Sequence, residues 1–469
     1  MIRLPSGNSL TPVEQFGLDL VVDLARLLPV DDPTADVVRL ELSGDETGRS
    51  PRGWMAAQWG MTIADGAVRL PRAALRQLGE IAGAVAEQRS RQADRHGRVP
   101  TGENPLVRDR VERQPVVSDA ARHLTNCVRQ AAGRRRMSLL APWPDGHRWA
   151  VALTHDLDVV ALWPAFTSRR LAELLGGGHA RLAGQVAWAA IRALAAPPVL
   201  AAVESLLDLE SGRGIRATWF ILCGTPTLAT MWAGDLTYRP ESPTVRRILA
   251  LLLGRHHAIG LHGSFATSRA PEAFVAQRAR LAQLSNVGAL GVRQHFLRLR
   301  PGVTHRAMAA AGFSYDASAG FPDRNGFRLG VADIIPVWDA EANRRLPIDE
   351  IPFAWMDRAL SKYQGVEDPR RWIADGLELA ATCRNAGGLW VGVWHPNLTP
   401  ALGYPGAPAA YAELLTGLLT DAPYVGTLDE LVQWRRWRRS VRARAVPPGG
   451  DVVLSGEGAT RVPLEDVSA

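Results

Sequence analysis

From Pro142 to Thr427 the chain alternates short apolar runs with stretches rich in Ala, Leu and Arg, and this alternation restricts it to an α/β sheet or barrel. The runs expected to be buried strands are 149–154, 215–222, 257–261, 332–337, 349–353, 389–394 and 424–427. In such folds chemistry gathers at the C-terminal ends of the strands. Three of these runs finish in a histidine or in a closely spaced pair of carboxylates, so those ends are where function is to be sought.

A chain of 469 residues has room for two or three domains at roughly 100–200 residues each. Residues 1–137 read as a separate, mostly helical domain of unknown role. Apolar residues recur at helical spacing over 13–28, and 71–90 opens with Pro at a first-turn position and runs on in Ala and Leu. The polar stretch 88–110 reads as a linker or a long exposed loop. The barrel is assigned to 138–440 and a loose C-terminal tail to 441–469, with 451–454 as a candidate strand.

Hydrophobic residues at 46% and charged residues at 22% fit a soluble globular chain and exclude wholesale disorder or a polytopic membrane protein. Cys127, Cys223 and Cys383 lie far apart with no Cys-x-x-Cys pair. Neither a disulfide framework nor a thiolate zinc site can be built, so any metal must use His, Asp or Glu. The net charge of +7 comes with Lys362 as the one lysine and with no nucleic-acid-reading motif, so no nucleic-acid partner is expected. No run reaches the ~18 uninterrupted apolar residues of a spanning helix. Residues 1–16 lack the basic start and apolar run of a signal peptide, which gives a cytoplasmic location as the expectation. Over 428–444, Leu431, Trp434, Trp437 and Val441 share one helical stripe and arginines fill the rest. This stretch reads as the helix that closes the barrel, with peripheral membrane contact as the alternative.

Four segments carry candidate chemistry. Thr154-His155-Asp156-Leu157-Asp158 directly follows an apolar run. Two carboxylates two residues apart at a strand end project into one mouth, where one binds a cation and the other accepts a proton from water. A lone Asp-x-Asp is otherwise a helix-capping loop. The remaining segments are Leu261-His262-Gly263-Ser264, Arg293-Gln294-His295 and Trp394-His395-Pro396-Asn397. Singly each reads as a solvated strand end, and their order together gives them weight.

In that order the segments resemble the polysaccharide deacetylases with the NodB homology domain, also called carbohydrate esterase family four. The resemblance covers about residues 139–439 and leans toward a divergent bacterial branch. It rests on Trp143-Pro144, Thr154 to Asp158, Gly260 to Ser264, Arg293 to His295 and Gly326-Phe327-Arg328. It implies a distorted, incomplete β/α barrel that removes acetyl groups from N-acetylated sugars with one divalent metal. By the same resemblance Asp156 is the catalytic base, Arg293 orients it, Asp158 and His262 bind the metal, and His395 is the general acid. Two positions depart from the pattern: Ala266 stands where a second ligand histidine is usual, and Arg298 where a proline is usual. His295, two residues past Arg293 and on the same face of an extended run, is the candidate for the missing ligand, with water as the other option. Asp316 and Arg328 are candidates for binding sugar hydroxyls or orienting His395, Trp394 for stacking on a sugar ring, and 349–357 for lining the cleft.

Amide hydrolysis needs a polarised carbonyl, an activated water and a proton for the leaving nitrogen, and a metal beside an Asp base and a His acid supplies all three. One Asp and two His suit zinc, or else cobalt or nickel. The expected activity is metal-dependent hydrolysis of an N-acyl group on a sugar or glycan precursor. Because of Ala266, two alternatives stay open: a metal-free, catalytically silent carbohydrate-binding or scaffold protein, and a metal-independent amide hydrolase on the same barrel.

Overall fold

The computed structural model describes the chain except residues 6–9, 31–34, 45–47, 134, 136, 161–164, 193–196, 269, 444–452 and 467–469. The first 137 residues are mostly helical, as expected, but also contain a four-stranded sheet. Strands β1 (Ile2–Arg3), β2 (Val38–Ser43), β3 (Thr62–Ala64) and β4 (Ala67–Pro71) pair in the order β1-β2-β4-β3. Its overlooked signal is the alternation Val38-Arg39-Leu40-Glu41, which buries Val38 and Leu40 and exposes Arg39. Helix Pro12–Leu24 packs on helix Arg72–Ala82 so closely that a Cβ on Gly17 would lie 2.0 Å from the Leu75 carbonyl oxygen. The helical stretch 71–90 is not continuous. It breaks where Ala84 adopts a left-handed φ of +50°, and restarts as Val85–Arg89.

The remaining strands are β5 (Ser138–Leu140), β6 (Ala150–Leu157), β7 (Thr218–Leu222), β8 (Ala258–Gly263), β9 (Gly291–Gln294), β10 (Tyr315–Asp316), β11 (Ile335–Asp339), β12 (Arg344–Glu350), β13 (Trp355–Met356), β14 (Leu389–Val393), β15 (Tyr424–Val425), β16 (Arg442–Ala443), β17 (Leu454–Ser455) and β18 (Leu464–Asp466). One sheet runs β11-β12-β10-β9-β8-β7-β6-β14-β13, with β15 also on β6. All its pairings are parallel except the β11–β12 hairpin. Only residues 351–354 separate β12 on one side of this sheet from β13 on the other, a span of at most roughly 18 Å. Within that segment the Ile351 N–H donates to the Asp316 carbonyl and the Ala354 N–H to the Val391 carbonyl. The sheet is thereby curled into the distorted, incomplete barrel that the resemblance implied.

Strands β9 and β10 were not among the expected runs, and β12 lies upstream of the expected 349–353. Strand β10 has only two residues, and β12 begins with exposed Arg344 and Arg345, so neither offers a continuous apolar run.

The two units share a core. Leu299, Ala319, Leu329, Val331, Ile335 and Trp338 of the barrel side belong to the cluster built around the N-terminal helices, and Phe16 stacks on Trp338 at 4.9 Å. The stretch 88–110 is not an exposed linker. Arg98 is buried and donates to the Phe296 carbonyl at 3.0 Å, and Thr101 donates to Asp323 at 2.8 Å, which ties the segment over the barrel mouth. The described part of the tail is not loose either: β18 pairs with β5 and β17 with β16. Of the candidate strand 451–454, residues 451 and 452 lie outside the described residues.

Helix Leu428–Ser440 closes the barrel, and the membrane-contact reading of 428–444 is corrected by its partners. Arg435 and Arg438 are buried against Asp23 and Asp333, while Arg436 and Arg439 pair with Asp349. Trp434 is buried and donates its indole N–H to the Pro142 carbonyl. The apolar side and four of the arginines are thus engaged within the protein, while Arg442 is exposed; residue 444 lies outside the described residues. No helix of the described residues is long and apolar enough to cross a membrane.

Candidate metal centre and active site

Strand β6 alternates its side chains, and the consequence is visible residue by residue. Thr154 and Asp156 face the barrel interior, where one Arg293 guanidinium nitrogen donates to both, at 2.9 and 2.8 Å. His155 faces the other way and is structural: its Nε2 meets Glu210 at 2.7 Å and its Nδ1 the Trp394 carbonyl at 2.8 Å. Asp158, just past the strand, returns to the interior.

Arg293 is fully buried on β9. Its Nε donates to the Ala317 carbonyl, and its guanidinium carbon lies 4.4 Å from the Phe220 ring centroid and 5.6 Å from that of Phe353. A cation so enclosed has its orientation fixed. It holds Oδ1 of Asp156 and leaves Oδ2 directed between His262 Nε2 at 3.9 Å and His395 Nε2 at 4.0 Å. Burial raises the Asp156 carboxyl, but Arg293, then His262 and His395, outweigh burial and hold it below the ordinary range. Asp156 is therefore an anion at neutral pH.

Asp158, His262 and His295 each point one donor atom into a common space, all within 4.8 Å of one another. Asp158 Oδ1 lies 3.2 Å from His262 Nε2 and 3.5 Å from His295 Nε2. The other nitrogen of each ring is engaged outward: His262 Nδ1 with the Arg293 carbonyl at 2.9 Å, His295 Nδ1 with Asp235 Oδ1 at 3.3 Å. That places the ring protons on Nδ1 and leaves the Nε2 lone pairs facing the cluster, the arrangement second partners impose on metal-binding histidines. Asp158 Oδ1 is buried and has no hydrogen-bond partner. An orphaned carboxylate oxygen beside two imidazole lone pairs fits a divalent first-row ion.

His395 follows β14 on the opposite side of this space, with Nε2 3.5 Å from Asp158 Oδ2. Burial lowers its pKa, but Asp357 outweighs burial and raises it above the ordinary histidine value. Ala266 lies exposed in a 3-10 turn, Phe265–Ser268, that follows strand residue His262. The helical i, i+4 relation a second ligand there would need is absent.

Three sequence-derived substrate residues do not reach the cleft. Asp316 is wholly buried, bonded to Ser318 and 3.3 Å from His305 Nε2. Arg328 is buried against Glu87 of the N-terminal unit and donates to the Gly320 carbonyl, so it joins the two units instead of binding sugar. Trp394 is 2% exposed and packs on Tyr411 at 4.8 Å and Trp355 at 6.2 Å, which makes it core. His305, Asp316 and Glu350 form a second donor cluster, but there the Gly302 N–H donates to His305 Nδ1. The ring proton accordingly sits on Nε2, facing the carboxylates, so this cluster shares protons and lacks the free lone pair a metal needs.

The cleft over the first cluster has a volume of about 550 Å³. Beyond the residues named, its walls include Arg358, Asn397, Tyr404, Lys362 and, from the N-terminal unit, Arg95 and Arg98. Sequence reasoning placed 349–357 at the cleft but did not single out Asp357, and it missed Asp235 and the cationic wall altogether.

No protein-family model and no curated protein matches the chain. Among solved structures it is similar to a protein given as a polysaccharide deacetylase of Mycobacterium smegmatis, at 20% identity and TM-score 0.43 over 65% of this chain and 96% of that one. It is similar to PuuE allantoinase at 14% identity and TM-score 0.42, over 62% and 92%. A protein given as a polysaccharide deacetylase of Pseudomonas aeruginosa PAO1 is similar at 16% identity and TM-score 0.42, over 63% and 94%.

Proposed function

We propose that this chain, a barrel of the polysaccharide deacetylase type, is a divalent-metal-dependent hydrolase that removes an acyl group from the nitrogen of an N-acylated sugar or glycan precursor. The observation that carries the reading is the convergence, at one barrel mouth, of an Arg293-clasped Asp156, the Asp158–His262–His295 donor set and an Asp357-held His395.

Asp158, His262 and His295 would hold the ion, with zinc, cobalt or nickel suited to the set. When bound, such an ion supplies Lewis acidity toward a carbonyl and lowers the pKa of water. Asp156 Oδ2, ionised and free of Arg293, accepts the proton of the attacking water. The water oxygen adds to the acyl carbon, and the carbon–nitrogen bond then breaks. His395 Nε2, kept protonated by Asp357, gives its proton to the departing nitrogen, so the products are a carboxylate and an amine. His295 supports the reading despite Ala266: it offers an imidazole from the neighbouring strand end, which favours the enzyme over a silent protein.

The test is acetate release from N-acetylated mono- and oligosaccharides by zinc-, cobalt- or nickel-loaded protein. Asp156→Asn and His395→Ala should each lower the rate by roughly 10² to 10⁴, with metal content retained. Failure to release acetate from any such substrate, or activity that survives both substitutions, overturns the reading.

A further inference from the structure

The cleft is charged in a way that hydrolysis of a neutral amide does not require. Arg95, Arg98, Arg169, Arg170, Arg358 and Lys362 line it, against the carboxylates Asp156, Asp158 and Glu173. Asp156 is already matched by Arg293, and Asp158 belongs to the metal donor set. Glu173 engages Arg169 and Arg170, each at 3.3 Å, and Arg98 is paired with Asp94 at 2.7 Å. Arg95, Arg358 and Lys362 form no close ion pair among the described residues; Asp357 and Asp158 act on Arg358, and Glu173 and Asp158 on Lys362, only from a distance.

Arg358 is the best placed of the three. It follows Asp357, the residue that grips His395, and its own guanidinium donates to Asn397 Oδ1 at 3.0 Å and to the Tyr404 hydroxyl at 2.9 Å. Successive residues 357 and 358 thus hold successive parts of the 395–397 turn, and the Arg358 cation is fixed beside the proton donor. The Tyr404 ring has Arg358 at 5.3 Å and Arg170 at 4.6 Å, so two guanidiniums flank one aromatic ring. Desolvation, then Arg358 and Arg169, push the Lys362 ammonium down to about 8, which shows how closely these cations crowd. Six cations crowded against three carboxylates, two of those already claimed by Arg293 and the metal donor set, are disfavoured unless an anion joins them. Guanidiniums match phosphate oxygens in geometry.

We infer that the N-acylated sugar bound at this site carries a phosphate or diphosphate, whose oxygens lie against Arg358 and Lys362 while the acyl group reaches the Asp158–His262–His295 cluster. This rests on the hydrolase reading for the acyl group but not for the charge, and binding measured without turnover separates the two. An excess of more than one positive charge in the cleft lining favours a group of charge near two over a single carboxylate.

The test is calorimetric binding of three probes to zinc-loaded full-length protein: neutral N-acetylglucosamine trisaccharide, N-acetylglucosamine 1-phosphate, and uridine diphosphate N-acetylglucosamine. The phosphorylated probes should bind at least about tenfold more tightly than the neutral one, an advantage that shrinks as salt is raised. Lys362→Met, on the cleft wall, should remove most of that advantage while leaving zinc content and neutral-sugar binding unchanged, and Arg358→Gln should remove most of it with zinc content retained. Preference for the diphosphate over the monophosphate would identify a carrier-linked sugar as the source; equal binding would identify a free sugar phosphate. Equal affinity for neutral and phosphorylated probes, or a preference that survives both substitutions, overturns the inference. A phosphate preference without acetate release from any probe leaves the anion site standing and removes the hydrolase reading. Acetate release at equal efficiency from neutral and phosphorylated sugars does the reverse.

Discussion

Asp357 grips His395 twice: one carboxylate oxygen accepts the His395 backbone N–H at 2.6 Å, and the other lies 2.6 Å from the ring Nδ1. The first contact fixes where the chain turns after β14, and the second fixes the ring proton on Nδ1 and turns Nε2 toward the cleft. Asp357 is a positioning residue, and it also raises the pKa of the imidazole. Asp357→Asn should lower kcat by roughly 10² to 10⁴. Without the carboxylate the imidazole loses its proton at lower pH, so the alkaline limb of the pH–rate profile should move toward acid. A loss of rate with an unmoved alkaline limb would make Asp357 a purely structural support.

Metal uptake should depend on His295 and be indifferent to position 266. Asp158→Ala and His295→Ala each remove a donor from the cluster, and each should weaken binding by at least about tenfold, or 1.4 kcal/mol, in competition with a chelator. Ala266→His places an imidazole on an exposed turn that follows a strand, and affinity should stay as in the parent. A gain in Ala266→His with no loss in His295→Ala would move the third ligand from His295 to position 266.

The chain's chemistry was legible wherever one local pattern governs it. Asp156 and Asp158 are two residues apart at the end of an apolar run, and a strand period of two brings them to one mouth. His262 and His395 stood just past the ends of expected strands, whereas the role of Arg293 came from the resemblance alone, since β9 was not among the expected strands. Asp357 and Arg358 were not, because their role exists only once β13 lies beside β14 and meets a turn 38 residues later. Asp235 holds His295 from a loop with no periodicity at all. Asp316, Arg328 and Trp394 were misplaced for a common reason: proximity to a motif says nothing about which side of the backbone a group takes. The partner that claims Arg328 is Glu87, in a unit the sequence presented as separate.

Arg328 should matter for stability and not for substrate. Arg328→Met leaves Glu87 buried without its cation, and breaking a buried pair in this way costs about 3–5 kcal/mol. The denaturant midpoint should fall accordingly, with KM unchanged in the protein that remains folded. Adding Glu87→Leu should recover part of the loss, because no buried charge then remains. A variant with a parental midpoint and a raised KM would put Arg328 back among the substrate contacts.

The last prediction concerns Glu350, wholly buried at the end of β12, with Oε1 accepting the Ala319 N–H at 3.0 Å and Oε2 3.0 Å from His305 Nε2. Burial, then the neighbouring Asp316 carboxylate, push its pKa up to about 8 from an ordinary 4.5. Between those two values the folded chain keeps a proton that the unfolded chain has released. Its contribution to stability is therefore greatest below about 4.5, declines as pH rises through the window by up to about 1.4 kcal/mol per pH unit, and levels off above about 8. Glu350→Gln replaces the protonated acid with a neutral amide of the same shape, which keeps an acceptor for the Ala319 N–H and a donor for the Asp316 carboxylate. Urea midpoints measured at pH 5, 6.5 and 8 should fall with pH in the parent and fall less steeply in Glu350→Gln, with the variant the more stable of the two at pH 8. Parallel declines in parent and variant would show that Glu350 is ionised in the folded protein and that the pH dependence arises elsewhere.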